Sequence, residues 1–233
     1  GEALDARLWT ITALVALYGE PMSDFSWPIP FTPLSNERVA LRALRIEDAD
    51  AVYEAAIDPQ MQRFTPIPLE YSRSMAVEFI NKHSMPQSSL VWAIELADNP
   101  GRYAGNIMLK LQSEKNRNVL ADYSTAPWAR RRGTMTQALQ LVLDHAFNNY
   151  IHRVELRATL DNTPSRTVAE RNGFVFEGVA RHSEYIRGDF HDVVVYAKIA
   201  SDHQLMPPKA YNSPQLQSAF TRGSPVPVRN FRF

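Results

Sequence analysis

Apolar residues recur along this chain at two periods, and each switch between them marks an element. At the helical period, Met135 is followed by Leu139, Val142, Leu143, Ala146, Phe147 and Tyr150 on one face. The same spacing turns Ala49, Val52, Tyr53 and Ala56 inward in an earlier helix. Ile46-Glu47-Asp48 open it with acids in the first turn, and Asp58-Pro59 stop it. Another helix starts near Ser72 with Met75, Ala76, Phe79, Ile80 and His83 inside. His83 reads as a helix-end histidine beside the C-terminal dipole, with no catalytic role. A short helix over 164–171 has Pro164 in its first turn, Asn162 or Thr163 as its cap and Asn172-Gly173 as its end.

The strand period covers 38–44, 90–96, 102–111, 119–125, 153–158, 174–177 and 192–199. Short links predict an antiparallel meander for the first of these. A helix lies between 119–125 and 153–158, so that pair is predicted to be parallel. The order β-α-α-β-β-β-α-β-α-β-β is that of an α/β (α+β) fold, a mixed and mainly antiparallel sheet flanked by helices. Neither a full Rossmann alternation nor a barrel fits.

The ends read differently from this middle. Leu4, Leu8, Ile11, Val15 and Tyr18 form a helical stripe, too short to span a bilayer and carrying Asp5 and Arg7 within it. It lacks the pattern of a signal peptide, so a packed amphipathic helix is the simpler reading and a partner-binding helix the alternative. Residues 20–33 hold Pro21, Pro28, Pro30 and Pro33 with Trp27 and Phe31 between them, which predicts an extended connector with its aromatics in grooves. The expected division is therefore a helix and connector over 1–35, one domain over 36–201, and a proline-rich tail over 202–233, extended or disordered.

Composition narrows the function. The chain is 45% hydrophobic and 21% charged, with a formal net charge of +0. No overall basic field gathers nucleic acid or an anionic membrane, and neither is an expected partner. Cysteine is absent, which removes disulfide scaffolds, thiolate nucleophiles and cysteine-ligated metals. It also fits a reducing, cytoplasmic setting. His182, Asp189, His191 and Asp192 match no metal-ligand spacing, so no metal is expected.

The stretch Arg130-Arg131-Arg132-Gly133-Thr134-Met135-Thr136 sits between the strand over 119–125 and the long helix. Free N–H groups of a first helical turn, its positive dipole end and the arginine charges together make a phosphate cradle. A solvated basic turn has the same composition, and this stretch alone does not separate the two.

Four stretches in order carry a resemblance. They are Arg130-Arg131-Arg132-Gly133-Thr134-Met135, Asn162-Thr163-Pro164-Ser165, Asn172-Gly173-Phe174 with Glu177-Gly178, and Glu184-Tyr185-Ile186-Arg187-Gly188 followed by 192–196. With them, residues 38–201 resemble the GCN5-related N-acetyltransferase (GNAT) superfamily, and within it the branch of ribosomal-protein N-terminal acetyltransferases. The resemblance implies acetyl-CoA as co-substrate, no metal, and direct attack by an amine in a ternary complex. It implies a pyrophosphate site at Arg130, Arg131, Arg132, Gly133, Thr134, Met135 and Thr136. It also implies backbone donors for the pantetheine and the acetyl oxygen at Tyr123, Ser124 and Thr125. Asn162 is implied as a coenzyme contact beside its reading as a cap. Glu184 is the implied general base, Ser165 the proton donor to the departing thiolate, and Tyr185 the reserve donor. Neighbours on a strand point to opposite faces, so one cleft is expected to take Glu184 or Tyr185 but not both. Arg131 stands where many members have glycine. Met135 stands where glycine or alanine is usual, and a loop held slightly away from the pyrophosphate is expected. The acceptor is a protein N-terminus or a small amine, a homodimer is left open, and a non-catalytic acyl-CoA-binding module is the rival.

Overall fold

In the computed structural model, which describes residues 25–84 and 88–204, eight strands form one sheet in the order β1-β2-β3-β4-β5-β6-β8-β7. The strands are β1 (Leu34–Ser35), β2 (Val39–Arg42), β3 (Ser89–Leu96), β4 (Gly105–Ser113), β5 (Asn118–Thr125), β6 (Arg153–Thr159), β7 (Val175–Ile186) and β8 (Asp189–Ile199). The helices are α1 (Ala49–Ala56), α2 (Pro59–Phe64), α3 (Arg73–His83), α4 (Thr134–Asn148), α5 (Thr163–Arg171) and α6 (Ala200–Gln204). The β5–β6 pair is parallel and every other neighbouring pair is antiparallel, as the helix between β5 and β6 requires. The expected N-terminal helix and nearly all of the expected tail lie outside the described residues.

Alternation along the strands feeds two apolar layers. On one face Trp92, Ile94, Ile107, Leu109, Val119 and Val154 meet Leu139, Val142, Leu143 and Ala146 of α4. On the other, Val91, Ala93 and Met108 meet Val52 and Ala55 of α1 and Ala76 and Ile80 of α3. β3 is buried on both sides, which explains its unbroken apolar run. The residues before β1 cover the first layer. Phe31 stacks on Trp92 with ring centroids 5.3 Å apart, the Trp92 indole donates to the Thr32 carbonyl at 2.9 Å, and His145 Nε2 lies 2.8 Å from the Pro30 carbonyl.

Several elements differ from the sequence expectation. Asp58-Pro59 ends α1 but also starts α2, because the Asp58 carboxylate accepts from the Met61 N–H at 3.1 Å and proline suits the first turn. β4 begins at Gly105, three residues later than expected, and β1 is additional. The last two strands extend into a long hairpin, turned by Arg187 and Gly188, both at positive φ. Its outer part, Arg181-His182-Ser183, is exposed on both faces. It therefore carries no apolar alternation to announce it.

The register between β5 and β6 positions everything that follows. Pairing runs from Asn118↔Arg153 to Leu120↔Glu155 and stops, although β5 continues to Thr125 and β6 to Thr159. Each strand keeps its other neighbour: β5 stays with β4 as far as Gly105↔Thr125, and β6 stays with β8 as far as Thr159↔Val193. A wedge opens between them. Gly105 holds one side in place. At φ +146, a Cβ there would lie 2.2 Å from the Ser124 carbonyl oxygen, so only glycine lets β4 draw β5 this close. Gly105→Ala is expected to cost at least about 2 kcal/mol of stability, read as a lowered denaturation midpoint at unchanged denaturant slope.

Candidate active site

The wedge opens into a cavity of about 700 Å³. Residues 120–124 of β5 and 156–159 of β6 line it, with Asn162 and Ser165 of α5 and residues 183–185 of β7. The opposite wall comes from α1, α2, α3 and the loop after α2, through Val52, Met61, Phe64, Ile67, Tyr71 and Phe79. That wall is tied across the cleft. Arg63 pairs with Asp161 at 2.9 Å, while Arg187 of the hairpin turn donates to the carbonyls of Gln62, at 3.0 Å, and Ile67.

β5 leads through the turn Pro127–Ala129 into the loop that starts α4. Gly133 stands at φ +75 before the helix, and Thr134 is buried with its hydroxyl donating to the Ala129 carbonyl at 2.8 Å. Among the described residues, no acceptor faces the backbone N–H groups of residues 131–136; the first loop or helix bond in this stretch is from Gln137 to Gly133. These N–H groups converge at the positive end of a 15-residue helix, which is what an anionic phosphate requires. Gly133 has open space around it, so its requirement is conformational: a β-branched side chain would be strained at that φ rather than blocked.

The side chains of the loop are placed differently from the sequence expectation. Met135 does not crowd the cradle, because it is buried in the core under α4. Arg130 pairs with Asp58 and donates Nε to the Thr125 carbonyl at 3.2 Å. Burial pushes the Asp58 carboxyl up, but Arg130 and the Met61 N–H outweigh it and hold that group below its ordinary range. Arg132 pairs with Asp98 at 2.5 Å. Arg131 is exposed, at φ 60, and has no ion-pair partner among the described residues. Of the three arginines, it is the one whose charge is uncommitted.

In the lining of the cavity Ser165 Oγ lies 3.0 Å from the Tyr123 hydroxyl, which also reaches the Ser165 carbonyl at 3.2 Å. Tyr123 keeps some surface toward the cavity, yet its phenol sits deep enough that burial raises its pKa, against the pull of the bond to Ser165. Asn162 caps α5 by accepting from the Ser165 N–H at 3.2 Å. Its carbonyl oxygen is thus occupied, and its amide group remains for a ligand. Glu184 is half-buried on the β7 side and has no hydrogen-bond or ion-pair partner among the described residues. Tyr185 also borders the cavity, contrary to strict alternation. Both residues lie within two positions of the end of β7, where the cavity closes at its edge, although the pairing from Glu184 to Ile186 is regular. The Tyr185 ring is 59% exposed and packs on Phe190 at 5.0 Å, which puts it at the outer edge.

Sequence reasoning placed Tyr123 here only through its backbone; its phenol partner 42 residues away left no local signal. His182, Asp192 and His191 are engaged within the hairpin. The His182 N–H donates to Asp192 at 2.9 Å, and His191 Nε2 lies 3.2 Å from the Ile186 carbonyl. Among the described residues, no group of three or more His, Asp or Glu side chains is placed to hold a metal ion. Likewise, no helix among them is long and apolar enough to cross a membrane.

The pairing of the arginines yields a prediction. Arg131→Ala should weaken acetyl-CoA binding about tenfold, measured by calorimetry, since a free charge beside a phosphate contributes about 1.4 kcal/mol or more. Arg130→Ala should leave that affinity within about threefold, and should raise the acceptor KM by loosening the start of α2.

Comparison with known proteins agrees with this geometry. Residues 38–175 match the acetyltransferase (GNAT) domain family. The putative ribosomal N-acetyltransferase YdaF of Bacillus subtilis is 29% identical over 177 residues, covering 72% of this chain and 94% of that protein. The ribosomal-protein-serine acetyltransferase of Escherichia coli is 36% identical over 69 residues, which is 29% of this chain and 38% of that protein. The structure of RimL, a ribosomal alpha-N-protein acetyltransferase in complex with coenzyme A, aligns with TM-score 0.64 at 23% identity over 70% of this chain and 95% of that one. With 138 of its residues (38–175) inside the family match, this chain belongs to the GNAT acetyltransferases.

Proposed function

We propose that this enzyme moves the acetyl group of acetyl-CoA to the α-amine of a protein or peptide N-terminus, by direct attack in a ternary complex. The observation that carries the reading is the wedge between β5 and β6, which opens into a cavity lined by both Ser165 and an unpartnered Glu184. Acetyl-CoA supplies the acetyl group as a thioester. The N–H groups of residues 131–136 hold the pyrophosphate, with Arg131 adding charge. The edge of β5 that β6 leaves unpaired, around Tyr123, Ser124 and Thr125, offers backbone groups to the extended pantetheine and N–H donors to the acetyl oxygen. Asn162 adds its amide group to that contact.

Glu184 accepts the proton of the attacking amine. Ser165 gives a proton to the sulfur as the carbon–sulfur bond breaks, with its hydroxyl oriented by the Tyr123 phenol. Tyr185, at the outer rim, is the less favourable donor. One ordinary carboxylate is enough for an α-amine. With a pKa of about 7.7–8.0, roughly a tenth of such amines are neutral at pH 7, against a few parts in ten thousand for lysine at about 10.4. The relatives named for ribosomal proteins support a protein acceptor.

Glu184→Gln is expected to lower kcat about 10²-fold with the acetyl-CoA Kd unchanged, in an assay of thiol release with short peptides. The rival reading, a non-catalytic acyl-CoA-binding module, is the one left standing if the unaltered protein binds acetyl-CoA yet releases no thiol with any amine.

A further inference from the structure

The charge inventory of the cavity is nearly closed. Among the described residues lining it, the charged groups are Lys110, Asp122, Arg157 and Glu184. Lys110 pairs with Asp122 at 2.5 Å, and Arg157 pairs with Glu155 at 2.7 Å. Glu184 is left as the single carboxylate without a partner, so the cavity has charge complementarity for one ammonium group and not for two. A second cation would be desolvated with no unpaired carboxylate among the described lining residues to meet it.

The lining contributed by α2, α3 and the segment between them is mostly apolar. Met61 and Phe64 come from α2, Ile67 and Tyr71 from the segment between α2 and α3, and Phe79 from the middle of α3. All five are half-buried, and the space they leave belongs to the cavity. The first three are not free to drift. Arg130 on Asp58, Arg63 on Asp161, and Arg187 on the carbonyls of Gln62 and Ile67 hold the segment at its start, middle and end. Three pinned apolar side chains, Met61, Phe64 and Ile67, with Tyr71 and Phe79 in the lining of the same cavity as one unpaired carboxylate, describe a subsite with a defined occupant.

We propose that the residue carrying the acceptor amine has a large apolar side chain, which this wall receives while Glu184 meets the amine. Met61, Phe64, Ile67, Tyr71 and Phe79 are then specificity-determining residues, selecting acceptors that begin with leucine, methionine or phenylalanine over those that begin with serine. Polyamines and aminoglycosides, with several cations, are rejected. The inference rests on the reading above that Glu184 meets the attacking amine, but not on whether that amine belongs to a protein.

The test uses the full chain with acetyl-CoA and follows thiol release with three tetrapeptides differing only in their first residue, phenylalanine, leucine or serine. Phenylalaninamide, serinamide and spermidine complete the panel. The expected result is kcat/KM at least tenfold higher for the phenylalanine- and leucine-first peptides than for the serine-first one, with spermidine lower still. Phe64→Ser should collapse that ratio toward one. Equal rates for all three peptides would overturn the subsite while leaving a peptide acceptor intact. A tenfold preference for phenylalaninamide over serinamide, with no peptide acetylated, would uphold the subsite and overturn the peptide reading. A best rate with spermidine, or a peptide ratio unmoved by Phe64→Ser, would refute the subsite directly.

Discussion

A parallel strand pair that stops pairing halfway is an unstable arrangement unless something satisfies the strands on their other sides. Here β4 does so for β5 and β8 does so for β6, each to the end of its strand. The sheet thus divides at one seam without losing a layer of its core, and the backbone groups along the seam are left for a ligand. Gly105 is the tightest expression of that constraint, because the close approach of β4 to Ser124 leaves no room for a side chain. The cavity, the placement of Ser165 beside Tyr123 and the lead into the loop at Gly133 all follow from where β5 goes after Leu120.

The arginines divide into two kinds of work. Arg63, Arg130 and Arg187 fix the wall of the cleft to its surroundings through carboxylates and carbonyls, where a planar, permanently charged group can make several bonds at once. Arg130 joins the two halves of the site. It touches the end of β5 through the Thr125 carbonyl and the cap of α2 through Asp58. The proposed cradle for the coenzyme and the proposed wall for the acceptor therefore share one mechanical link. Arg131 is the loop arginine left without an ion-pair partner among the described residues.

Much of this was legible from the chain alone, for identifiable reasons. The period of α4 and the strand before it fixed the place of the loop, and an intervening helix dictated the one parallel pair. Asp58-Pro59 was ambiguous, since an Asp-Pro pair has the same chemistry whether it ends one helix or caps the next. The outer hairpin was invisible because a strand exposed on both faces has no alternation to show. Inside the site, Glu184, Ser165 and Asn162 stood out through their resemblance to family motifs. The engagements of Arg130 with Asp58, Arg132 with Asp98 and Tyr123 with Ser165 span 72, 34 and 42 residues of chain. No local pattern carries a contact of that range, so the loop looked more highly charged than it is.

The central claim is that the seam between β5 and β6 and the N–H groups before α4 form one continuous slot for the coenzyme. Backbone hydrogen exchange with and without coenzyme A measures this directly, amide by amide. The account predicts slowed exchange together at the amides of residues 121–125 that face the seam rather than β4, and at residues 131–136, where N–H groups have no acceptors among the described residues. Protection confined to the loop, with the β5 seam unchanged, would contradict it.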